Sequence, residues 1–509
     1  MPKKAGCILG IDIGTSRSKA SLYSAKGKLL SESSKDHTFT VPAKGYVEED
    51  PEGQWWKATV ENIKKIIKSK EFKGKKILAI GVSCANALVY VDKTGKALGP
   101  AIMQIDKRSL QEVKYINDKM GEDEIFAITG NRIAPGTFFL PSILWLKENR
   151  KDIFKETHKF LSPSGFIVGK LTGKFSIDWT RACTTMLYNL KEKKWSEEII
   201  SKFEVPVNKL PDLHKSCQVV AEVDERAAKI TGLEKGIPVI AGAMDTVAAG
   251  VALDARKAGE SFLILGTVGR LCKVLGAQSL LKKEFLNTIY DDEKKFLSIA
   301  CTDSAGLSID WFRKGFGSEY KDKDSFDNLE KEAMKSSPGS GGLIYLPYLL
   351  GERSPIWDPY VKGVFFGIDP LHKRGDFYRA VMEGIAFSLK GNLELIESDI
   401  TADKKPLRIC ESGGGSSKFW RQIISDIIER EIMPCKIESP ETLGVSALAA
   451  FGIGEIKNTK DFVTKDIKEG KVHKPNKESI KRYNNLFMMF NKLYSDLKGN
   501  FRILYEILW

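Results

Sequence analysis

Apolar runs that end in glycine turns alternate with helical repeats in the first half of the chain. Residues 7–15, CILGIDIGT, form such a run, which is typical of a β-strand followed by a tight turn. A helix is predicted to begin after Asp50, because Asp is a good N-cap and Pro51 fits the first helical position. Its apolar face at helical spacing comprises Trp56, Val60, Ile63 and Ile67. Residues 76–83 return as a buried strand, so the order of elements predicts an α/β fold.

The second half of the chain repeats this opening. Residues 261–269, SFLILGTVG, again form an apolar run that ends in a Gly-Thr turn, and residues 271–275 can be its hairpin partner. A chain of 509 residues also exceeds what one hydrophobic core usually serves. We therefore predict two related domains, residues 1–253 and 254–509. The second ends in a Lys-rich helical tail from about residue 456, which is expected to pack on the body of the protein.

The chain carries 79 Lys and Arg residues against 66 Asp and Glu residues, a net charge of +13. This excess favours anionic ligands, but no Cys/His finger spacing and no basic arm accompany it, so no nucleic-acid partner is predicted.

The eight cysteines form no CxxC pair, which is typical of reduced thiols in a cytosolic protein. The longest nearly apolar run, residues 236–253, falls short of the roughly 20 residues that a membrane span needs. A cytoplasmic protein with no membrane partner is expected.

The turn after the first strand is a candidate site for Mg²⁺ and phosphate. Its residues are Asp12 at the strand end, Gly14, Thr15, Ser16 and Lys19. Glycine lets the backbone approach phosphate oxygens, turn N–H groups and hydroxyls donate to them, and a carboxylate can hold Mg²⁺ directly or through water. An ordinary β-hairpin turn explains the same residues, and the sequence lacks the GxxxxGK[ST] pattern of a Walker A loop.

Asp245 is a single carboxylate in an otherwise apolar stretch, residues 241–250, where a strand is expected to pass into a helix. The N–H groups at the start of a helix keep a carboxylate ionised, which places a proton acceptor at the tip of the element, as a general base requires. A plain N-cap for the helix explains the position equally well. The pattern leaves both interpretations open.

Two further clusters contain residues that can bind ligands. A glycine loop before a predicted helix allows close contact with a nucleotide, although a flexible loop would show the same pattern. Its residues are Gly413, Gly414, Gly415, Ser416 and Lys418. Asp106 and Arg108 follow a strand and either bind sugar hydroxyls or form a surface salt bridge, the interpretation that the pair alone favours. Asn86 is a polar residue in an apolar run, where a hydrogen-bonded core amide is the alternative.

In this order along the chain, the motifs resemble the FGGY family of carbohydrate kinases. The matching segments also include Gly266 and Thr267, PYLLGERSPIWDP at residues 347–359, VFFG at 364–367 and EGIAF at 383–387. The resemblance spans about residues 6–455 and is greatest with xylulokinase-like members.

This resemblance implies two actin-like domains with RNase H-like cores and a cleft between them. ATP and Mg²⁺ would bind largely to the second domain and the sugar to the first. By the resemblance, Asp245 is the catalytic base and Asp12 the carboxylate on the Mg²⁺ side. The residues that match phosphate-binding turns are Thr15, Ser16 and Thr267, those that match the adenosine site are Gly414 and Gly415, and those in the sugar-side motif are Asp106 and Arg108.

The chain departs from the family where the sugar is selected. Gln104 stands where an aromatic residue is common, and Gly136 stands where glycerol kinases carry a tyrosine. Ala85 and Asn86 occupy the positions where xylulokinases carry Met-His and glycerol kinases Arg-Glu. These changes argue against glycerol and leave D-xylulose open.

The sequence therefore predicts ATP-dependent phosphorylation of a primary hydroxyl of a small sugar or polyol, D-xylulose or a related ketose. A non-catalytic actin-like ATP-binding protein that works by domain closure is the alternative. The candidate sugar-contacting residues are Asn86, Gln104, Asp106, Arg108 and Asp245. The oligomeric state stays open, with a homodimer as one option.

Overall fold

The computed structural model describes residues 5–317, 319, 325–398, 405–464 and 467–508. Contacts between residues divide the chain into two compact units. The first unit comprises Met1–Arg256, Asn287–Leu297 and Ser439–Ile467. The second comprises Lys257–Leu286, Ser298–Glu438 and Lys468–Trp509.

Up to residue 256 the strands are β1 (Ala5–Ile13), β2 (Arg17–Ser24), β3 (Leu29–Asp36), β4 (Glu48–Glu49), β5 (Lys75–Cys84), β6 (Ala87–Val91), β7 (Ala101–Met103), β8 (Lys159–Leu161), β9 (Ser176–Asp178), β10 (Tyr188–Asn189), β11 (Lys194–Trp195), β12 (Asp212–His214), β13 (Val219–Glu222), β14 (Pro238–Ile240) and β15 (Ala243–Met244). The helices are α1 (Lys57–Ile67), α2 (Leu110–Met120), α3 (Glu122–Thr129), α4 (Phe139–Asn149), α5 (Lys151–Glu156), α6 (Pro163–Thr172), α7 (Trp179–Ala182), α8 (Glu197–Lys202), α9 (Glu225–Thr231) and α10 (Asp245–Ala252). A π-helical segment, Pro51–Trp56, precedes α1, and its N-cap Asp50 accepts a hydrogen bond from Glu52 N at 3.0 Å.

After residue 256 the strands are β16 (Ser261–Leu265), β17 (Gly269–Gly276), β18 (Leu286–Ile289), β19 (Lys295–Thr302), β20 (Ile344–Leu346), β21 (Val364–Phe366), β22 (Leu407–Cys410), β23 (Ile432–Lys436) and β24 (Lys468–Glu469). The helices are α11 (Ala305–Phe316), α12 (Ser325–Ala333), α13 (Arg374–Glu397), α14 (Lys418–Ile428), α15 (Pro440–Gly452), α16 (Lys460–Val463) and α17 (Lys477–Leu508). Short 3₁₀ turns cover Val207–Lys209, Ser340–Gly342 and Gly413–Ser416.

The main sheet of the first unit has the strand order β13-β14-β5-β1-β2-β3, and β15 also pairs with β5. Strand β1 pairs antiparallel with β2 and parallel with β5. Every residue of β1 from Cys7 to Ile13 is buried, so both faces of this strand are covered. Leu9 shares a core with Phe166 of α6, whereas Gly10 faces Thr442 of α15. A strand covered on both faces needs a nearly continuous apolar run, which explains the pattern of its sequence.

Helix α15 lies close to the sheet and to α10 because glycines stand at the points of contact. A Cβ atom on Gly10 would lie 2.3 Å from the carbonyl oxygen of Thr442, and one on Gly444 would lie 1.8 Å from that of Ala248. Neither distance is possible for a real Cβ, so the two glycines permit this packing.

Replacing Gly444 by alanine is expected to lower the free energy of unfolding by about 1–3 kcal/mol, the usual cost of overpacking a core. The new Cβ would force α10 and α15 apart, because it would meet backbone rather than a movable side chain. Thermal unfolding of the purified variant measures the effect. Gly315→Ala is the control, since Gly315 lies in a helix and a Cβ there would meet nothing within 4 Å. Equal melting temperatures for the two variants would contradict the prediction.

The two units differ from the predicted division into residues 1–253 and 254–509. Residues 439–467 make their contacts with the first unit, because α15 packs on β1, β5 and α10 of that unit. Residues 287–297 also belong to the first unit by their contacts.

The sheet of the second unit has the order β18-β19-β17-β16-β22-β23-β24. Residues 287–297, which span most of β18 and the start of β19, are grouped with the first unit by their contacts. Strand β16 pairs antiparallel with β17 and parallel with β22. This is the pairing that β1 makes with β2 and β5, so each unit begins with a hairpin whose first strand then gains a parallel neighbour.

The C-terminal helix α17 packs on the second unit, as expected for the tail. Tyr483, Phe487, Phe490 and Leu493 join the core cluster that includes residues of α13. Residues 465, 466 and 509 of the predicted tail lie outside the described part of the chain. Within the residues that the structure describes, no helix is both long enough and apolar enough to cross a membrane.

Candidate active site

Asp12 lies near the end of β1, opposite Lys19 on β2 and Ser83 on β5. Its carboxylate is buried and accepts a hydrogen bond from Ser83 Oγ at 2.8 Å. Burial raises the pKa of Asp12 well above its usual range, and the negative charges of Glu441 and Asp245 raise it further. The charges of two further carboxylates of the first unit therefore act on Asp12 at this end of the sheet.

The hairpin turn after β1 presents the predicted phosphate-binding residues. Gly14 N donates to the carbonyl oxygen of Arg17 at 3.0 Å, which closes the turn. Thr15 is partly buried and Ser16 is exposed. On β2, Lys19 Nζ donates to Ser439 Oγ at 3.2 Å, so its ammonium lies beside the start of α15.

Asp245 is the first residue of α10 and directly follows β15, in which Met244 lies opposite Cys84 of β5. Its side chain is 17% exposed. Oδ1 accepts hydrogen bonds from Thr246 N at 2.7 Å and Thr246 Oγ1 at 3.1 Å. Met244 occupies the N-cap position, so Asp245 is not the helix cap that the alternative interpretation assumed.

Arg181 forms an ion pair with Asp245, a contact that the sequence did not reveal. Its Nη2 lies 3.4 Å from Asp245 Oδ1 and also donates to the carbonyl oxygen of Cys84. Asp178 caps the short helix α7, and burial raises the pKa of Asp178 to about 6. An Asp followed two positions later by Thr at a strand end indicates the cap, but no spacing links residue 181 to residue 245.

Asp106 and Arg108 form a buried pair, not the surface salt bridge that the sequence favoured. Arg108 Nε and Nη2 donate to the carboxylate of Asp106 at 2.8–3.0 Å, and Arg108 Nη2 lies 2.8 Å from Glu48 Oε1. Val47 N donates to Asp106 Oδ2 at 2.6 Å, and the guanidinium lies 4.1 Å from the ring centre of Tyr46. The pair therefore ties residues 46–48 to residues 106–108.

The loop around Gly136 brings the other predicted sugar-side residues together. Asn86 is buried, and its Nδ2 donates to the carbonyl oxygen of Thr137 at 2.6 Å. Gly136 has φ +61°, and a Cβ there would lie 2.4 Å from the carbonyl oxygen of Asp106 and 2.8 Å from that of Gln104. A side chain at position 136 cannot fit this loop, which explains the glycine.

Two glycine loops meet in the second unit. Gly266 and Thr267 follow β16, and the Gly413–Ser416 turn connects β22 to α14. A Cβ on Gly413 would lie 2.7 Å from the carbonyl oxygen of Leu265, which shows how closely the loops approach. Gly306 N, at the start of α11, donates to the carbonyl oxygen of Gly266 at 3.0 Å.

The turn that contains Gly414 and Gly415 is held by side chains. Ser416 Oγ donates to the carbonyl oxygen of Gly413 at 2.6 Å, and Arg421 Nη1 donates to that of Gly415 at 2.6 Å. Lys418 is exposed and begins α14. The sequence did not single out Arg421, although an Arg one turn into the helix after a glycine loop is well placed to bind that loop's carbonyl groups.

These loops and carboxylates lie in segments that match known proteins. The sequence model "FGGY family of carbohydrate kinases, N-terminal domain" matches residues 7–252, and the C-terminal domain model matches residues 262–453. The chain belongs to the FGGY family of carbohydrate kinases. The predicted carbohydrate kinase and the predicted actin-like two-domain α/β fold are therefore confirmed, and the enzyme phosphorylates a sugar with ATP.

Individual FGGY kinases match the chain over nearly its whole length. The xylulose kinase of Bacillus subtilis (strain 168) is 30% identical over 497 residues, which cover 96% of this chain and 97% of that protein. The crystal structure of ligand-bound xylulose kinase from Lactobacillus acidophilus has a TM-score of 0.90 at 25% identity and covers 98% of this chain and 100% of that one. The gluconate kinase structure from the same organism has a TM-score of 0.89 with the same identity and coverage.

Proposed function

We propose that this FGGY kinase transfers the γ-phosphate of Mg²⁺-bound ATP to a primary hydroxyl of a small ketose, with D-xylulose as the first candidate. The observation that carries the proposal is Asp245, a partly exposed carboxylate at the strand-to-helix junction of the first unit. The similarity to enzymes named xylulose kinase supports the choice of sugar.

Asp245 is proposed as the general base. Phosphoryl transfer needs little covalent help from the protein, and the acceptor hydroxyl needs a group that takes its proton. The two donors of Thr246 and the guanidinium of Arg181 stabilise the ionised form of Asp245. In its ionised form, a carboxylate held in this way can accept that proton.

Asp12 fits a role on the Mg²⁺ side. Burial and the negative charges of Glu441 and Asp245 disfavour the ionised form of Asp12, and a bound divalent cation would stabilise that form. Among the described residues, no three His, Cys, Asp or Glu side chains form a ready-made metal site. Mg²⁺ is usually held by one or two carboxylates together with substrate phosphates, and Asp12 would supply one such carboxylate. When bound there, the ion would neutralise charge on the phosphates.

The glycine loops are proposed to bind the nucleotide. Gly414 packs against the ring of Trp420 and Gly415 against the carbonyl oxygen of Cys410, which fixes the backbone of this turn, and Gly266 and Thr267 lie beside it. Backbone N–H groups of such loops donate to phosphate oxygens. Exposed Lys418, at the start of α14, offers a cation for phosphate beside these loops. In the first unit, the hydroxyls of Thr15 and Ser16 and the ammonium of Lys19 are proposed as phosphate-binding groups in their own right.

The charges of the first unit favour a neutral sugar. Arg181 is paired with Asp245, and Arg108 is paired with Asp106 and Glu48. A sugar acid would bring a carboxylate toward cations that already have carboxylate partners, and this costs binding energy. D-Gluconate, the substrate class that the gluconate kinase neighbour suggests, is therefore the second candidate.

A coupled assay of ADP release tests the proposal. We expect the highest kcat/KM with D-xylulose or D-ribulose among a panel that also contains glycerol, erythritol, D-gluconate and D-fructose. Phosphorus NMR of the product then shows which hydroxyl carries the phosphate. A preference for D-gluconate would show that the substrate is a sugar acid and not a ketose. ADP release that no sugar stimulates would contradict the proposed kinase activity.

A further inference from the structure

Arg181 is buried in α7 with its charge directed at the proposed base. Its side chain is only 3% exposed, and its guanidinium contacts Asp245 Oδ1 and the carbonyl oxygen of Cys84. A buried guanidinium is costly unless carboxylates compensate it. Asp245 provides one such charge, and the positive charge of Arg181 also lowers the pKa of Asp178 against the larger effect of burial.

The backbone around Arg181 is fixed to the backbone around Asp245. Asp178 Oδ1 accepts hydrogen bonds from Thr180 N at 2.9 Å and Arg181 N at 3.1 Å. In the same turn, Thr180 Oγ1 accepts one from Met244 N at 2.8 Å. Helix α7 is therefore tied to the residue that precedes Asp245, so the backbone segments that carry Arg181 and Asp245 are held together.

We propose that Arg181 is a positioning residue that holds the carboxylate of Asp245 in the orientation required to accept the proton of the sugar hydroxyl. The inference rests on the proposed role of Asp245 as the base. A base must lie within hydrogen-bond reach of the proton that it removes, and a carboxylate without a fixed partner rotates about its Cβ–Cγ bond. The ion pair with Arg181, together with the donors of Thr246, restricts that rotation.

Arg181→Met is expected to lower kcat by roughly 10- to 100-fold, since small misplacements of catalytic groups cost up to this much. The KM values for ATP and sugar should change less than about twofold, because the arginine acts on the base and not on ground-state binding. Arg181→Lys should recover part of the loss, since it keeps the charge but not the planar fork. Parallel rises in both KM values with an unchanged kcat would overturn the inference.

A double-mutant cycle with Asp245→Asn shows whether Arg181 acts through Asp245. In the Asp245→Asn background, Arg181→Met should cost less than about threefold in kcat, because residues that act as a unit are not additive. An equal loss in both backgrounds would overturn the inference. Near-wild-type turnover of Asp245→Asn alone would instead show that Asp245 is not the base. Failure of the proposed function and failure of the inference about Arg181 can therefore be told apart. If the methionine variant does not fold, Arg181→Lys is used in the same cycle.

Arg379→Met is the matched control for loss of a buried arginine. Arg379 Nε pairs with Glu383 at 2.7 Å, and the two side chains are 7% and 2% exposed. This variant should lower the melting temperature, but its effect on kcat should be the same with and without Asp245→Asn. If the effects of Arg379→Met and Asp245→Asn on kcat were as non-additive as those of Arg181→Met and Asp245→Asn, the cycle would report general destabilisation. That result would overturn the inference.

Discussion

Asp245→Asn is expected to lower turnover by roughly 10²–10⁴-fold, the usual span for loss of a general base. Asparagine keeps the size of the side chain, and its amide oxygen can still accept the hydrogen bond that Thr246 N gives to Oδ1. It cannot take the proton of the sugar hydroxyl. The fold and the affinities for ATP and sugar should therefore persist, which calorimetric titrations and steady-state kinetics with the preferred sugar measure together.

Asp224→Asn is the control for a carboxylate that only caps a helix. Asp224 is the N-cap of α9, and its Oδ1 accepts a hydrogen bond from Ala227 N at 2.7 Å. Asparagine caps helices about as well as aspartate does, so this variant should keep full turnover. If Asp245→Asn behaves like Asp224→Asn, Asp245 has a structural role and the base must be sought elsewhere.

The elements that the sequence predicts well are those whose signals are local. The apolar runs with their Gly-Thr turns became β1 and β16, and in both units a hairpin follows. Asp50 caps the predicted helix, because the cap and its partner Glu52 are two residues apart. Such features depend on residues that are close in the chain, so the local sequence pattern is enough to predict them.

Contacts between distant segments were beyond the reach of pattern reasoning. Arg181 and Asp245 meet where β5 and β15 pair in parallel, with Cys84 opposite Met244 and its carbonyl oxygen bound by Arg181. Asp106 and Arg108 are two residues apart, yet whether their pair is buried depends on Tyr46, which lies far from them in sequence. Burial, unlike spacing, is decided by the whole fold.

The position of α15 shows the same limit. Its sequence is apolar on nearly all sides and does not indicate which surface it covers. Glycines of other segments determine where α15 packs, because Gly10 and Gly81 let the helix approach the sheet of the first unit. A division of the chain by halves could therefore not assign residues 439–467.

Asp12→Asn is expected to raise the Mg²⁺ concentration for half-maximal rate by about 10- to 100-fold, the range typical of losing a group that supports a bound metal. The same variant should be at least as stable as the wild type. Because burial and neighbouring carboxylates raise the pKa of folded Asp12, its ionised form costs stability as the pH rises through the unfolded and then the folded pKa. Asparagine removes this cost and can still accept the hydrogen bond from Ser83.

Glu441→Gln tests whether Asp12 binds Mg²⁺ or acts only through its negative charge. It removes another negative charge that acts on Asp12, but Glu441 is not proposed to hold the cation. A charge that acts only through space should shift the Mg²⁺ requirement by no more than about threefold. Mg²⁺ titrations of the rate at fixed ATP, combined with melting curves at several pH values, compare the two variants. Equal shifts for Asp12→Asn and Glu441→Gln would show that Asp12 contributes only its charge, and an unchanged Mg²⁺ requirement in Asp12→Asn would remove Asp12 from the metal site.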